Sequence, residues 1–128
     1  MANRKHINKT DRIKVLEKYN SHCAYCGCDI TLSTMQVDHL LSIERFQKSY
    51  QKKGVDIDTI LYYMPACKSC NHYKSDSTLD DFRKRLEKQV DVLMRDNATF
   101  RIAVRYGSVI PNPKPIIFYF EKIERNIK

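Results

Sequence analysis

The sequence predicts a single α+β domain closed by a structural metal, and three observations carry that prediction. The chain has 128 residues and 15.1 kDa, the size of one domain with one modest core. Stretches with helical spacing alternate with short β-prone ones. Two Cys-x-x-Cys pairs, Cys23/Cys26 and Cys67/Cys70, stand with forty residues between them. The expected core covers about residues 10–95, with a C-terminal extension over about 96–128.

Each element follows in chain order. Ile13, Leu16 and Tyr19 fall at helical spacing within Asp11 to Tyr19, with Thr10 or Asp11 placed to cap that helix. Gly27 in the first cysteine knuckle offers the positive φ that a tight turn around a metal needs. Ile30 to Leu41, around Met35-Gln-Val-Asp-His39, predicts a short hairpin, and Ile43, Phe46 and Tyr50 predict a short helix in the basic Ser42–Gly54 stretch. Ile57, Ile60, Leu61 and Met64 recur at i, i+3, i+4 and i+7, so a helical turn ending at Pro65 is expected. Thr78-Leu-Asp-Asp81 resembles a capping box and opens one amphipathic helix with Leu79, Phe82, Leu86, Val90 and Leu93 on a face. Asn97 to Tyr106 reads as helix, because Gly107 sits where a C-terminal cap would. After Pro111, Pro113 and Pro115, the run Ile116 to Phe120 reads as a C-terminal strand.

Composition excludes several classes. Hydrophobic residues make up 42% and charged ones 30%, the profile of a folded, soluble chain. The longest apolar run, Ile116 to Phe120, falls far short of the roughly 20 residues that cross a bilayer. The basic start carries no apolar stretch behind it, so neither a secretory signal nor membrane association is expected, and a cytoplasmic location follows. Lys and Arg number 23 against 15 Asp and Glu, giving a net charge of +8 that points to a polyanionic partner such as DNA.

Five cysteines are an odd count for a disulfide framework. Two residues between cysteines let both thiolates reach one ion at about 2.3 Å, so two such pairs complete a tetrahedral Zn²⁺ shell. Buried or redox-active thiols are the competing reading, which a second pair makes less economical. The expected ligands are Cys23, Cys26, Cys67 and Cys70, with Cys28 a bystander. A four-thiolate shell has no open position, so this zinc is a staple and the chemistry lies elsewhere.

The chemistry-bearing residues lie beside the pairs. Asp38 and His39 follow the β-prone stretch, Asn71 follows Cys70, and Lys74 comes three residues later. Closing a zinc site brings these segments together. An Asp carboxylate and an Asn amide oxygen are hard donors suited to Mg²⁺ or Mn²⁺. A neighbouring imidazole is suited to take a proton from water near neutral pH. Asn71 also suits capping of the helix after Cys70.

Cys-Ala-Tyr-Cys-Gly, Val-Asp-His-Leu and Met-Pro-Ala-Cys-Lys-Ser-Cys-Asn-His-Tyr-Lys resemble the HNH endonuclease family in its four-cysteine form, densely from about Cys23 to Lys74. The tail ending Ile-Phe-Tyr-Phe-Glu121-Lys is more loosely similar to small phage- or prophage-associated members. The resemblance implies a ββα-metal (HNH, His-Me finger) core braced by the zinc knuckle. It implies His39 as general base and Asp38 and Asn71 as holders of a catalytic divalent ion, in phosphodiester hydrolysis giving 5′-phosphate and 3′-hydroxyl ends. Lys74, with Lys68 and His72, would contact the DNA backbone. A homodimer, or a phage or host protein partner, is compatible with it.

One departure stands out. Tyr62 occupies the place of the family's middle Asn, which braces the loop carrying the base; Asp56 or Asp58 could take over by bonding that loop's backbone. Tyr62 is the feature that favours the alternative, a catalytically weak or inactive zinc-stapled module that binds DNA or protein.

Overall fold

In a computed structural model, which describes residues 4–127, the sheet is built from two strands distant in sequence. β1 (Gln36–His39) pairs antiparallel with β2 (Tyr63–Ala66), in the register Gln36 to Ala66, Val37 to Pro65, Asp38 to Met64 and His39 to Tyr63. The expected local hairpin over Ile30 to Leu41 is therefore corrected. Thr31 to Met35 forms a turn, with Met35 N–H donating to Thr31 O at 2.8 Å, and only the end of the stretch is a strand.

The expected helical turn ending at Pro65 is also corrected. A 3₁₀ turn covers Ile60–Tyr62, and β2 follows with every residue buried. The helix-like spacing there was incidental, as Leu61 is 80% exposed. Pro65 lacks an N–H, and a two-stranded sheet tolerates it because each strand is an edge. Its carbonyl accepts from Ala24 N–H at 2.8 Å, which ties the first knuckle to β2.

Helices surround this pair. α1 (Lys9–Glu17) is capped by Asn8, whose side chain accepts from Asp11 N–H at 2.8 Å, and not by Thr10 or Asp11 as expected. Lys18, just past α1, places its ammonium on the carbonyls of Ile60 and Tyr63 at 2.7 and 2.6 Å. α2 (Ile43–Lys52) spans the connection from β1 to β2 as expected, with Ser42 as cap. α3 (Lys68–Lys74) follows β2 directly.

The single amphipathic helix expected after Thr78 is two: α4 (Leu79–Glu87) and α5 (Gln89–Asp96). Lys88 breaks it, with ψ at −2° and its N–H shared between Lys84 O and Arg85 O, a tightened final turn. α6 (Ala98–Arg105) forms as expected, with Asn97 as cap and Gly107 beyond it at φ +74°. The C-terminal strand is corrected to helix: α7 (Tyr119–Ile127) begins there. Glu121 explains the difference, because its carboxylate accepts from Phe118 N–H at 2.9 Å and starts a helix as the acid of a capping box does. Phe118 itself is buried edge-on against Tyr25, 5.4 Å between ring centres.

The architecture is α+β. It comprises two compact units: Met1–Leu79 with Ile117–Lys128, and Asp80–Ile116. The sequence-based division near residue 95 falls inside the second. The first holds the sheet and nearly all the buried apolar side chains, including Val15, Met35, Ile43, Ile57 and Tyr63. In the second, α5 packs on α6, and Arg83 and Glu87 of α4 bond the backbone of Ile116. Among the described residues, no helix is long and apolar enough to cross a membrane.

Candidate functional site

Two clusters lie in the first unit, one of sulfurs and one of polar side chains on the sheet. The sulfur cluster depends on a tightly closed loop. Cys23 N–H donates to Cys28 O at 2.8 Å and Gly27 N–H to Cys23 O at 2.9 Å, with Gly27 at φ +81°. A Cβ at Gly27 would stand 2.6 Å from the Tyr119 ring, so both conformation and packing demand glycine there. The Sγ atoms of Cys23, Cys26, Cys28 and Cys67 lie within 4.8 Å of one another, and the Cys26–Cys67 pair is at 3.9 Å. Two sulfurs on one tetrahedral zinc at about 2.3 Å are about 3.8 Å apart, so the donor set fits that ion.

Cys70, expected as the fourth ligand, is not among the four that lie mutually within 4.8 Å; it stands beside them in the first turn of α3, where its N–H donates to Cys67 Sγ at 3.4 Å. Cys67 is thus both a prospective ligand and the cap of α3. Cys70 and nearby backbone amides hold the Cys23 thiol down to about 4. Cys28, expected to be a bystander, is a full member of the cluster. Its spacing signal was present in Cys26-Gly-Cys28 but was masked by the two regular pairs.

The second cluster opens into a cleft of about 410 Å³ whose lining includes Asp38, His39, Glu44, Asn71 and Asp76. The pairing of β1 with β2, and the turn from β2 into α3, bring His39 and Asp38 beside Asn71, 32 residues away in the chain. Asn71 lies inside α3 and its cap is Cys67, so the capping role open to Asn71 is not the one it takes.

His39 is held from two sides. Its Nε2 bonds Asp58 Oδ1 at 3.1 Å, and the ring stands edge-on to Tyr63, 5.2 Å between centres. Asp58 is buried and heavily engaged: Tyr63 hydroxyl donates to Oδ1 at 2.6 Å and Lys5 N–H to Oδ2 at 2.8 Å. Burial alone would push this carboxyl up, but Tyr63, Lys5 and His39 together hold it below its ordinary value. Asp56 in turn accepts from Asp58 N–H at 2.9 Å. With Nε2–H donated to a carboxylate, Nδ1 is the nitrogen left to accept a proton, a tautomer assigned from this hydrogen bond.

Tyr62 contributes its backbone carbonyl: Leu40 N–H donates to Tyr62 O at 2.9 Å, bracing the residue after His39. Of Asp56 and Asp58, the two that could bond the loop backbone in place of the missing Asn, Asp58 bonds the imidazole itself and Asp56 accepts from the Asp58 N–H.

Asp38 is buried, with Tyr25 hydroxyl on Oδ2 at 2.5 Å and Lys74 Nζ at 3.1 Å from the same oxygen. Burial raises its carboxyl above the ordinary value, opposed by Lys74 and Tyr25. The expected backbone contact by Lys74 is corrected: the side chain is 0% exposed, and its ammonium also bonds His39 O at 3.0 Å. Position in the sequence could not reveal this, because burial of that lysine depends on Asp38, 36 residues away. Lys68 and His72 remain exposed, one turn apart on α3, beside the strip carrying Asn71 and Ser75.

For a hard divalent ion, the lining supplies the right chemistry, carboxylate and amide oxygens from Asp38, Asn71, Glu44 and Asp76. Lys74 is the resident competitor at Asp38. Among the described residues, the cysteine cluster is the one group of three or more His, Cys, Asp or Glu ligand atoms close enough to share an ion. Comparison of the chain with protein-family models, with curated proteins and with solved structures finds no match.

Proposed function

We propose that this chain is a metal-dependent DNA endonuclease of HNH type, with His39 as general base and the cysteine knuckle as a zinc staple. The observation that carries the reading is the convergence of Asp38, His39 and Asn71 on one cleft, with Asp58 orienting the imidazole. The chain order β1–β2–α3 around that cleft, and the dense resemblance from Cys23 to Lys74, support it as well.

His39 Nδ1 takes the proton of the attacking water while Nε2–H stays on Asp58, so the imidazolium that forms faces a carboxylate. Tyr63 and Lys5 keep that carboxylate ionised and fixed. Asp38 and Asn71 would hold Mg²⁺ or Mn²⁺, which stabilises charge on the phosphate and the leaving oxygen when bound. Exposed Lys68 and His72, with the net charge of +8, suit the phosphate backbone.

A second reading has a specific observation behind it. Lys74 occupies Asp38, and Tyr62 stands in place of the bracing Asn, as a non-catalytic binding module would permit. A supercoiled-plasmid assay on zinc-loaded protein separates the two. Conversion to open-circle or linear DNA that requires added Mg²⁺ or Mn²⁺ supports the nuclease. Intact plasmid with all metals, alongside a gel shift, supports the binding module.

A further inference from the structure

The knuckle holds five sulfurs where a tetrahedral ion takes four. Cys23, Cys26 and Cys67 are common to two possible shells. Cys28 completes one, its Sγ lying within 4.8 Å of theirs. Cys70 completes the other as the partner of Cys67 in a Cys-x-x-Cys pair, its N–H on Cys67 Sγ at 3.4 Å.

Neither candidate is there by chance of a loose chain. Cys28 is clamped by Cys23 N–H on its carbonyl, and the adjoining His22 and Asp29 form a bridge that closes the loop again. Cys70 is fixed in the first turn of α3 by its N–H on Cys67 Sγ.

We propose that the zinc site is a five-thiol site in which Cys28 and Cys70 exchange for the fourth position while Cys23, Cys26 and Cys67 stay bound. One Zn–S bond forms as the other breaks. The incoming thiol releases a proton and the departing thiolate takes one up, so the charge of the shell is unchanged. The exchange matters for α3. With Cys70 bound, the helix is tied to the ion at both Cys67 and Cys70, the residue before Asn71. With Cys28 bound, it is tied at Cys67 alone, and Asn71 gains freedom without loss of the ion. This inference does not rest on the nuclease reading, because its test reads the metal and not cleavage.

The test loads the full chain with Co²⁺ and reads ion stoichiometry and thiolate charge-transfer intensity in wild type, Cys28→Ser, Cys70→Ser and the double variant. Both single variants are expected to keep one ion and the intensity of four sulfurs, and the double variant to fall to three. If Cys70→Ser alone falls to three and Cys28→Ser matches wild type, Cys28 is a bystander and the proposal is overturned. The reverse pattern fixes Cys28 as a permanent ligand and overturns the exchange equally. Alkylation of zinc-loaded wild type, mapped by mass spectrometry, covers the case of a variant that does not fold. Label divided between Cys28 and Cys70 is expected, and label on only one of them contradicts exchange.

Discussion

The cysteine knuckle and the His39 cleft sit in the same unit, but they are built on opposite principles. The knuckle has a surplus: five thiols for four positions, on a backbone closed by two hydrogen bonds. The cleft has none. Asp38 is shared by Tyr25 and Lys74, and Asp58 by His39, Tyr63 and Lys5. A redundant donor set can lose a member and keep its ion. In a buried polar network, losing one member leaves a charge or acceptor without its partner.

The largest expected effect is at the knuckle as a whole. If the knuckle is a zinc staple as proposed, removing the metal with a strong chelator should abolish cooperative unfolding of the first unit, Met1–Leu79 with Ile117–Lys128, followed by circular dichroism. Structural zinc contributes about 10–16 kcal/mol in small peptides, comparable to the ~5–15 kcal/mol stability of a typical domain. A chelated protein with an unchanged melting transition would remove the staple from the account.

Lys74→Met tests the cleft's lack of surplus. It leaves the Asp38 carboxylate buried without its cation, and urea unfolding should show a loss of about 3–5 kcal/mol. A loss under about 1 kcal/mol would mean that the pair behaves as an exposed one.

Asp58→Asn should cost less, about 1.5–3 kcal/mol for bonds to a charged group. Its sign with pH follows from the depressed carboxyl. Stability from such a group is fully present above the unfolded value of about 3.9 and is lost only as pH falls through the lower folded value. The carboxyl's own contribution to the gap between wild type and Asp58→Asn should therefore not shrink between pH 7 and pH 5. A gap that shrinks over that interval would show the carboxyl to be raised instead.

Gly27→Ala probes the one part of the knuckle without slack. Its φ of +81° and the approach of Tyr119 predict a loss of roughly 1–2 kcal/mol from the left-handed backbone, plus the clash. Thermal melts of the zinc-loaded variant check this, and an unchanged melting temperature would show that the loop relaxes freely.

The same contrast explains what could be read in advance. The Cys-x-x-Cys spacing is local, so the knuckle was legible, as were α2, α6 and the positive φ of Gly27. β2 was not, because a four-residue strand buried on both faces has no alternation, and Ile57, Ile60, Leu61 and Met64 mimic a helical period. The apolar run Ile116 to Phe120 gave no sign that Glu121 would start a helix from Phe118. In the cleft, residue types were legible and partners were not: Asp58 meets His39 across 19 residues, and Lys74 meets Asp38 across 36. A lysine near a candidate phosphate site reads as a contact until its tertiary partner is known.

The most direct test of the account is cleavage of a short labelled duplex by zinc-loaded wild type and His39→Ala under single-turnover conditions with Mn²⁺. Zinc content and DNA binding are measured on the same samples. The account predicts cleavage by wild type and a fall of about 10²–10⁴-fold in the variant, with one zinc per chain and unchanged binding. Equal rates in the two proteins would contradict His39 as the base, and absence of cleavage in both would leave a zinc-stapled binding module.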